Sequence, residues 1–336
     1  MMIKIAINGF GRIGRPTLRR ILDKHPNLEV AAINDLTDAK TLAHLLKYDS
    51  VYGTYQKEVK AADGSLLIDG RKITVLAEKE PAKLSWKKLG VDVVLECTGR
   101  FTDYEGAKKH LSAGAKKVII SAPGKGPGVS TYILGGNEEK YNPEKDHVIS
   151  MGSCTTNCYV PVTKIIHDNF TVERGFMVTA HAVTNDQRLL DSPHKDLRRA
   201  RAVLDNIIPT TSGSDRATIE VIPELKGKLH TMAMRVPVRV GSVIYAIYDL
   251  KKKPSPEAVN EIMKKAAQGK YKGILKYETN PIVSSDVIGS TYSAIFDSLL
   301  TEYSDDLIKV VAWYDNEWGY ACRLAEFAEF VGNKIS

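Results

Sequence analysis

Cysteine is scarce, with four residues in a chain of 336. That density rules out a small disulfide-stapled fold and leaves each thiol as a core residue, a ligand or a reactive group in a reducing compartment. Long apolar runs are absent as well. None approaches the roughly 18 residues needed to cross a bilayer, so no membrane segment is expected. Met1 to Asn8 enters a strand-like pattern directly, without a basic, then apolar, then small-residue leader, and the expected location is cytoplasmic. There is no internal repeat and no low-complexity tract, which excludes solenoid, fibrous and disordered architectures. The basic run His194 to Arg201 lacks the interleaved aromatic side chains of a single-strand nucleic-acid platform. Nucleic acid is therefore not expected as a primary partner, and the net charge of +7 points instead to pockets for anionic small molecules. Cys154 and Cys158 have no second Cys/His cluster at ligand spacing, so no metal is expected.

What is present describes an ordinary globular chain, 43% hydrophobic and 26% charged, long enough for two domains of about 150 residues. Ile3 to Asn8 reads as a strand and Arg15 to Lys24 as a helix with Leu18, Ile21 and Leu22 on one face. Leu28 to Ile33, Val91 to Glu96 and Val118 to Ile120 read as further strands. Between the last two, Thr102 and Glu105 have capping-box spacing, Ala107, His110 and Leu111 mark a helix face, and Gly114 supplies the stop. This alternation predicts an α/β fold with a doubly wound parallel sheet. After about residue 150 the strand-like segments Met177 to Val183, Met232 to Val238, Val243 to Leu250 and Ile308 to Tyr314 have few intervening helices, which predicts a mixed or antiparallel sheet. One helix is predicted over Pro256 to Gln268, capped by Ser255, and another over Gly319 to Phe330 with a Tyr320, Leu324, Phe327, Val331 stripe. The expected division is a dinucleotide domain over 1–152, a catalytic α+β domain over 153–318, and a last helix in 319–336 packing back on the first.

Gly9, Gly11 and Gly14 have the G-x-G-x-x-G spacing between that first strand and helix. Such a turn lets backbone approach a pyrophosphate and aims a helix N-terminus at negative charge. Asp35 follows Gly14 by 21 residues, where a carboxylate can accept bonds from an adenosine ribose and repel a 2′-phosphate. A Rossmann-type site favouring NAD over NADP is the resulting expectation.

Ser153-Cys154-Thr155-Thr156-Asn157-Cys158 precedes a helical pattern. With Ser153 as N-cap, Cys154 falls in the first turn, where the helix end favours a thiolate nucleophile. Cys158 reads as a buried small hydrophobe. Pro161 inside this helix should bend it. His181, at the end of a strand-like segment, is a candidate base, although spacing alone does not separate it from the other seven histidines. The basic run His194 to Arg201, with Arg235 and Arg239 beyond it, can be a solvated face or a phosphate site.

Asn8 to Gly14, Ser153 to Cys158, Thr184 to Gln187, His194 to Arg201, Asn206 to Thr210, Pro223 to Lys228 and Trp313 to Tyr320 together resemble the phosphorylating glyceraldehyde-3-phosphate dehydrogenases, in family order over nearly the whole chain. The resemblance implies Cys154 as nucleophile and His181 as its activating histidine. It implies dinucleotide contacts from Gly9, Gly11, Arg12, Ile13, Gly14, Asp35, Lys79, Ser121 and Asn316. Substrate or inorganic phosphate would meet Ser153, Thr155, Thr184, Arg199, Ser212, Gly213 and Arg235. It further implies a homotetramer, in which the segment from about Val183 to Asn206 reaches toward a neighbour. Several residues depart from the usual pattern: Met151-Gly152, Ser212, Arg216, Val238 to Gly241 and the glycine-rich 123–130 loop. Ser192-Pro193 also departs, and its smaller polar side chain implies some NADP tolerance. Erythrose 4-phosphate dehydrogenase, which shares the cysteine block, is the rival enzymatic reading, and a non-catalytic binding protein on the same scaffold is the rival from another class.

Overall fold

The computed structural model describes residues 2–335. The chain divides into two compact units, the first comprising Met1–Tyr132, Glu139–Gly152 and Ala321–Ser336, the second Ile133–Glu138 and Ser153–Tyr320.

The first unit is built on nine strands: β1 (Ile3–Asn8), β2 (Leu28–Asn34), β3 (Val59–Ala62), β4 (Ser65–Ile68), β5 (Arg71–Leu76), β6 (Val93–Glu96), β7 (Lys117–Ile120), β8 (Ser130–Thr131) and β9 (Val148–Ser150). They lie in the order β3-β4-β5-β2-β1-β6-β7-β9-β8. From β5 to β8 all neighbours pair parallel, whereas β3, β4 and β5 form an antiparallel meander. Strands β6 and β7 are buried at every residue, as expected of a parallel sheet covered on both faces. β1 leads through the glycine turn into the helix Gly14–Lys24, which buries Leu18 and Ile21. From Ala321 the last helix, Trp318–Gly332, belongs to this unit. Glu329 takes a 2.7 Å contact from His25 Nδ1, and a Cβ at Gly332 would lie 2.5 Å from Ile3. Its Tyr320, Leu324, Phe327 and Val331 stripe is buried.

One helix differs from the sequence expectation. It forms as two short pieces, Tyr104–Ala107 and Lys109–Ser112, and its cap is Asp103, not Thr102. The Asp103 carboxylate accepts the Gly106 N–H at 2.8 Å, while Thr102 is buried and gives its carbonyl to Lys125. Gly114 does end the element, in a left-handed conformation at φ 104°.

The second unit carries β10 (Val172–His181), β11 (Ile208–Thr211), β12 (Leu229–Arg235), β13 (Ser242–Leu250), β14 (Leu275–Glu278), β15 (Ala294–Asp297), β16 (Glu302–Ser304) and β17 (Leu307–Tyr314). The order is β11-β12-β10-β13-β17-β15-β14, with β16 on β17. It is mixed: β10 runs parallel to β12 and antiparallel to β13. Two strands end earlier than the apolar runs suggest, β10 at His181 and β12 at Arg235, just before Val236-Pro237, where proline has no N–H for the ladder. The helix Cys154–Phe170 runs through Pro161 and packs Tyr159, Val162, Ile165 and Ile166 into a core shared with Ile244, Tyr248, Val310 and Ala312. Helix Pro256–Gln268 starts at the predicted cap, with Ser255 Oγ accepting the Ala258 N–H.

Candidate active site

The sequence block around Cys154 forms a helix start. Ser153 is extended at φ −98°, and its Oγ accepts the Thr156 N–H at 3.0 Å, a cap worth about 1 kcal/mol. Cys154 therefore opens the first turn, with its Sγ 3.3 Å from His181 Nε2. His181 closes β10, and the parallel register sets it beside Arg235, the last residue of β12. Arg235 Nη1 lies 2.5 Å from His181 Nδ1 and 3.3 Å from the Ala182 carbonyl, which is itself 2.6 Å from Nδ1. Tyr314, at the end of β17, braces the group. Its hydroxyl lies 2.8 Å from Thr155 Oγ1 and 2.9 Å from Thr179 Oγ1, and its ring meets the His181 ring edge-on at 6.0 Å.

Burial pushes the Cys154 thiol up; Arg235 and the N–H and hydroxyl of Thr155 pull the other way without overcoming it. Burial, reinforced by Arg235, holds the His181 imidazole down at about 3, opposed only by the Ala182 carbonyl. The helix end alone does not hold the thiol down, and the base expected beside it, His181, stands within contact distance of the sulfur. Passing the sulfur proton across the 3.3 Å contact to Nε2 would leave the pair's net charge unchanged. Cys158 is fully buried and its thiol is pushed well up by burial, and Cys97 is raised to about 12 for the same reason.

The two contacts at His181 Nδ1 demand opposite tautomers. Arg235 can only donate there, whereas Ala182 can only accept. A lone pair at Nε2, needed to receive the sulfur proton, requires Nδ1–H to point at Ala182. Arg235 then shares the same carbonyl, and its Nε remains a buried donor with no partner. An unpaired buried N–H costs about 1–3 kcal/mol, which an anionic oxygen would recover.

Asn316 is held by its oxygen: Oδ1 accepts the Gly241 N–H at 3.1 Å and the Ser242 hydroxyl at 3.0 Å. Its amide nitrogen is thereby fixed as the donor end. Ser242 Oγ also accepts the Ala182 N–H, so Asn316 and the His181 strand end share one hydroxyl.

Of the other predicted phosphate residues, Arg199 lies within electrostatic reach of Arg235, as does its partner Asp186. Arg199 donates from Nε to Thr210 Oγ1 at 2.7 Å and from Nη1 to Asp186 at 2.6 Å, beside Ser212 and Gly213 at the start of helix Ser214–Val221. Burial alone would raise the Asp186 carboxyl, but Arg199 and His194 outweigh it and hold it below the usual range. Thr184 is held by Gln187, whose Oε1 accepts both its N–H and its hydroxyl. Tyr314 and Asp186 lie in blocks that carry the resemblance but take no role from it, and Ala182 lies in none, because their contacts depend on strand register and loop path and not on local spacing.

In the first unit the glycine turn fits a dinucleotide. Gly9 has φ 92°, and a Cβ there would lie 2.7 Å from the Thr98 nitrogen; a Cβ at Gly14 would lie 2.3 Å from the Gly9 carbonyl oxygen. Gly11 differs, since a Cβ there meets nothing within 4 Å, so its face is open to an approaching group. The helix that follows has no side-chain cap at Ile13 and no acid in its first turn, which leaves its positive end open to an anion, although Arg15 gives its N–H to the Gly11 carbonyl and Pro16 has none. Asp35 accepts the Phe10 N–H at 2.8 Å and the Thr37 N–H at 3.0 Å, one on each oxygen, and each oxygen keeps a lone pair for a hydroxyl. Arg12 turns its guanidinium onto Asp49 and over the Tyr52 ring, which leaves its backbone as the part facing the turn. Ser121 follows β7 and donates its N–H to the Glu96 carbonyl, and Lys79 is exposed next to Glu78, whose backbone bonds Asn34. Among the described residues no group of metal ligands occurs and no helix is long and apolar enough to cross a membrane.

Two family profiles match this chain. Residues 3–104 match the glyceraldehyde 3-phosphate dehydrogenase NAD binding domain, and residues 153–316 match the C-terminal domain of the same family. Glyceraldehyde-3-phosphate dehydrogenase of Geobacillus stearothermophilus is 53% identical over 99% of both chains. Enzymes of the same name are 50% identical over the full length in Streptomyces coelicolor and 49% identical over 99% of both chains in Bacillus subtilis. The chain belongs to the glyceraldehyde-3-phosphate dehydrogenase family.

Proposed function

We propose that this enzyme oxidises D-glyceraldehyde 3-phosphate with NAD and inorganic phosphate, giving 1,3-bisphosphoglycerate through a thiohemiacetal and a thioester on Cys154. The observation that carries the reading is the Cys154 Sγ to His181 Nε2 contact of 3.3 Å at a helix N-terminus, beside Arg235. His181 takes the sulfur proton as the sulfur adds to the aldehyde carbon, and Arg235 stabilises the negative charge on the sulfur. The imidazolium returns that proton to the alkoxide formed by the addition, and the neutral imidazole takes it back from the thiohemiacetal hydroxyl as hydride leaves the carbon. NAD, held by the glycine turn and Asp35, would supply the hydride acceptor for that carbon. Attack of phosphate on the thioester breaks the carbon–sulfur bond and returns the thiolate. Covalent attachment keeps the reacting carbon in place throughout, which lowers the entropic part of the barrier. Ser153, Thr155, Thr184, Arg199, Ser212, Gly213 and Arg235 are proposed to hold the phosphate groups. Gly9 to Gly14, Asp35, Lys79, Ser121 and Asn316 are proposed to hold NAD. The Asp35 carboxylate favours NAD over NADP.

A homotetramer in the cytoplasm completes the proposal. It is supported by the exposed Leu189, Leu197 and Ile207 around the 183–206 segment, by Phe176 and Tyr245 on the open sheet face, and by four free cysteines.

The test is NADH formation from glyceraldehyde 3-phosphate and NAD with and without phosphate. The expected result is a phosphate-dependent rate and an acyl phosphate product. Release of a free acid without phosphate, with erythrose 4-phosphate as the better substrate, would favour the rival enzyme, and no NADH at all would favour a binding protein.

A second expectation concerns pH. His181→Asn removes the acceptor for the sulfur proton, so the burial-raised thiol must ionise to solvent. Alkylation by iodoacetamide at pH 7 should slow by about tenfold or more and recover only as pH rises through the alkaline thiol range. An unchanged rate at pH 7 would remove His181 from the proton path.

A further inference from the structure

A buried polar relay that no reaction step uses ties together the carboxyl ends of β1, β2 and β6. Glu96, the last residue of β6, is 1% exposed. Its Oε2 accepts Asn8 Nδ2–H at 2.5 Å and His110 Nε2–H at 3.1 Å. Its Oε1 accepts the Thr98 N–H at 2.8 Å and the Thr98 hydroxyl. Two lone pairs per oxygen meet four donors, so the acceptor capacity is full.

The far side of His110 fixes its proton. Trp86 Nε1–H donates to His110 Nδ1 at 2.9 Å, and an indole nitrogen can only donate, so Nε2 carries the hydrogen given to Glu96. On the other side Asn8 Oδ1 accepts Asn34 Nδ2–H at 2.7 Å, and Asn34 bonds both the carbonyl and the N–H of Glu78 at 2.9 Å. All five side chains, Trp86, His110, Glu96, Asn8 and Asn34, are at least nine-tenths buried.

This relay seats the glycine turn. Gly9 donates its N–H to the Asn34 carbonyl at 2.8 Å, and Cys97 donates to the Asn8 carbonyl at 2.7 Å. The close approach of Gly9 to Thr98 therefore depends on how the ends of β1, β2 and β6 are spaced. An apolar floor would support the sheet as well, but it would not orient these groups, since only directional bonds set one strand end against another. We propose that Glu96, oriented by Trp86 and His110, is a positioning residue for the dinucleotide, holding the turn at the spacing that presents its N–H groups to a pyrophosphate. The inference rests on reading Gly9 to Gly14 as the pyrophosphate turn.

Glu96→Gln sets an amide N–H against donors at whichever oxygen it replaces. Isothermal titration of the whole enzyme should show Kd rising about tenfold for NAD and equally for ADP-ribose, while kcat at saturating NAD stays within about twofold. Trp86→Phe keeps an aromatic ring but frees the imidazole, and Kd should rise about threefold for both ligands. A merely structural relay would lower the thermal midpoint and leave Kd alone. Unchanged Kd in either folded variant overturns the proposal, as does loss of folding in both, which would make the relay a requirement of the domain and not of the ligand. Normal NAD binding by a Gly11→Val variant would instead remove the pyrophosphate-turn reading, so the two failures are separable.

Discussion

Cys154→Ser should lower the rate of NADH formation by on the order of 10⁴-fold or more while leaving the fold intact. Serine fits the space of cysteine, and the helix cap belongs to Ser153, so the first turn survives. The chemistry does not survive. His181, whose imidazole burial and Arg235 hold down at about 3, can take a proton from a thiol at 3.3 Å far more readily than from an alcohol, whose ordinary pKa is several units higher. No other thiol can substitute, because Cys158 lies one turn deeper, fully buried, with its Sγ against the Ala312 carbonyl. Steady-state assay with glyceraldehyde 3-phosphate, checked by circular dichroism for folding, decides the point. A variant that kept even a tenth of the wild-type rate would show that sulfur is not the attacking atom.

The parts of this site that local sequence reveals are those whose physics is local. A serine before a helical pattern is a cap because its hydroxyl reaches an N–H three residues on, and both Ser153 and Ser255 do so. The glycine turn is equally readable, since its spacing reflects steric limits within six residues. The partner of Cys154 is a different matter. His181 meets Arg235 across 54 residues only because β10 and β12 pair in parallel with that register, and no periodicity in the chain encodes a register. Tyr314 reaches Thr155 and Thr179 for the same reason, through β17 and β13. The strand-and-helix alternation also omits the β3-β4-β5 meander, although its signal is present: Asp63-Gly64 and Asp69-Gly70 are two-residue turns with all four residues at positive φ. Thr102 fails as a cap because the neighbouring carboxylate of Asp103 accepts the Gly106 N–H instead.

The three glycines of the first turn, alike in the motif, should behave in two different ways when substituted. Gly9→Ala and Gly14→Ala place a Cβ 2.7 Å from the Thr98 nitrogen and 2.3 Å from the Gly9 carbonyl oxygen, both backbone atoms that cannot swing aside. Gly9 adds the strain of φ 92°. Each should cost about 1–3 kcal/mol or more of stability, whatever the ligand. Gly11→Val meets no protein atom within 4 Å and requires no left-handed backbone, so thermal unfolding of the free protein should stay within about 2 °C of wild type. The added methyl groups would instead occupy the space through which a pyrophosphate reaches the helix N-terminus, and Kd for NAD should rise by about 100-fold or more. Alkylation of Cys154 in the same variant should be unaffected in the absence of NAD, because the sulfur and its histidine lie wholly within the second unit. Stability loss at Gly9 and Gly14 with affinity loss at Gly11 is a pattern that a purely structural turn cannot produce. A Gly11→Val enzyme that bound NAD as tightly as wild type would move the dinucleotide elsewhere.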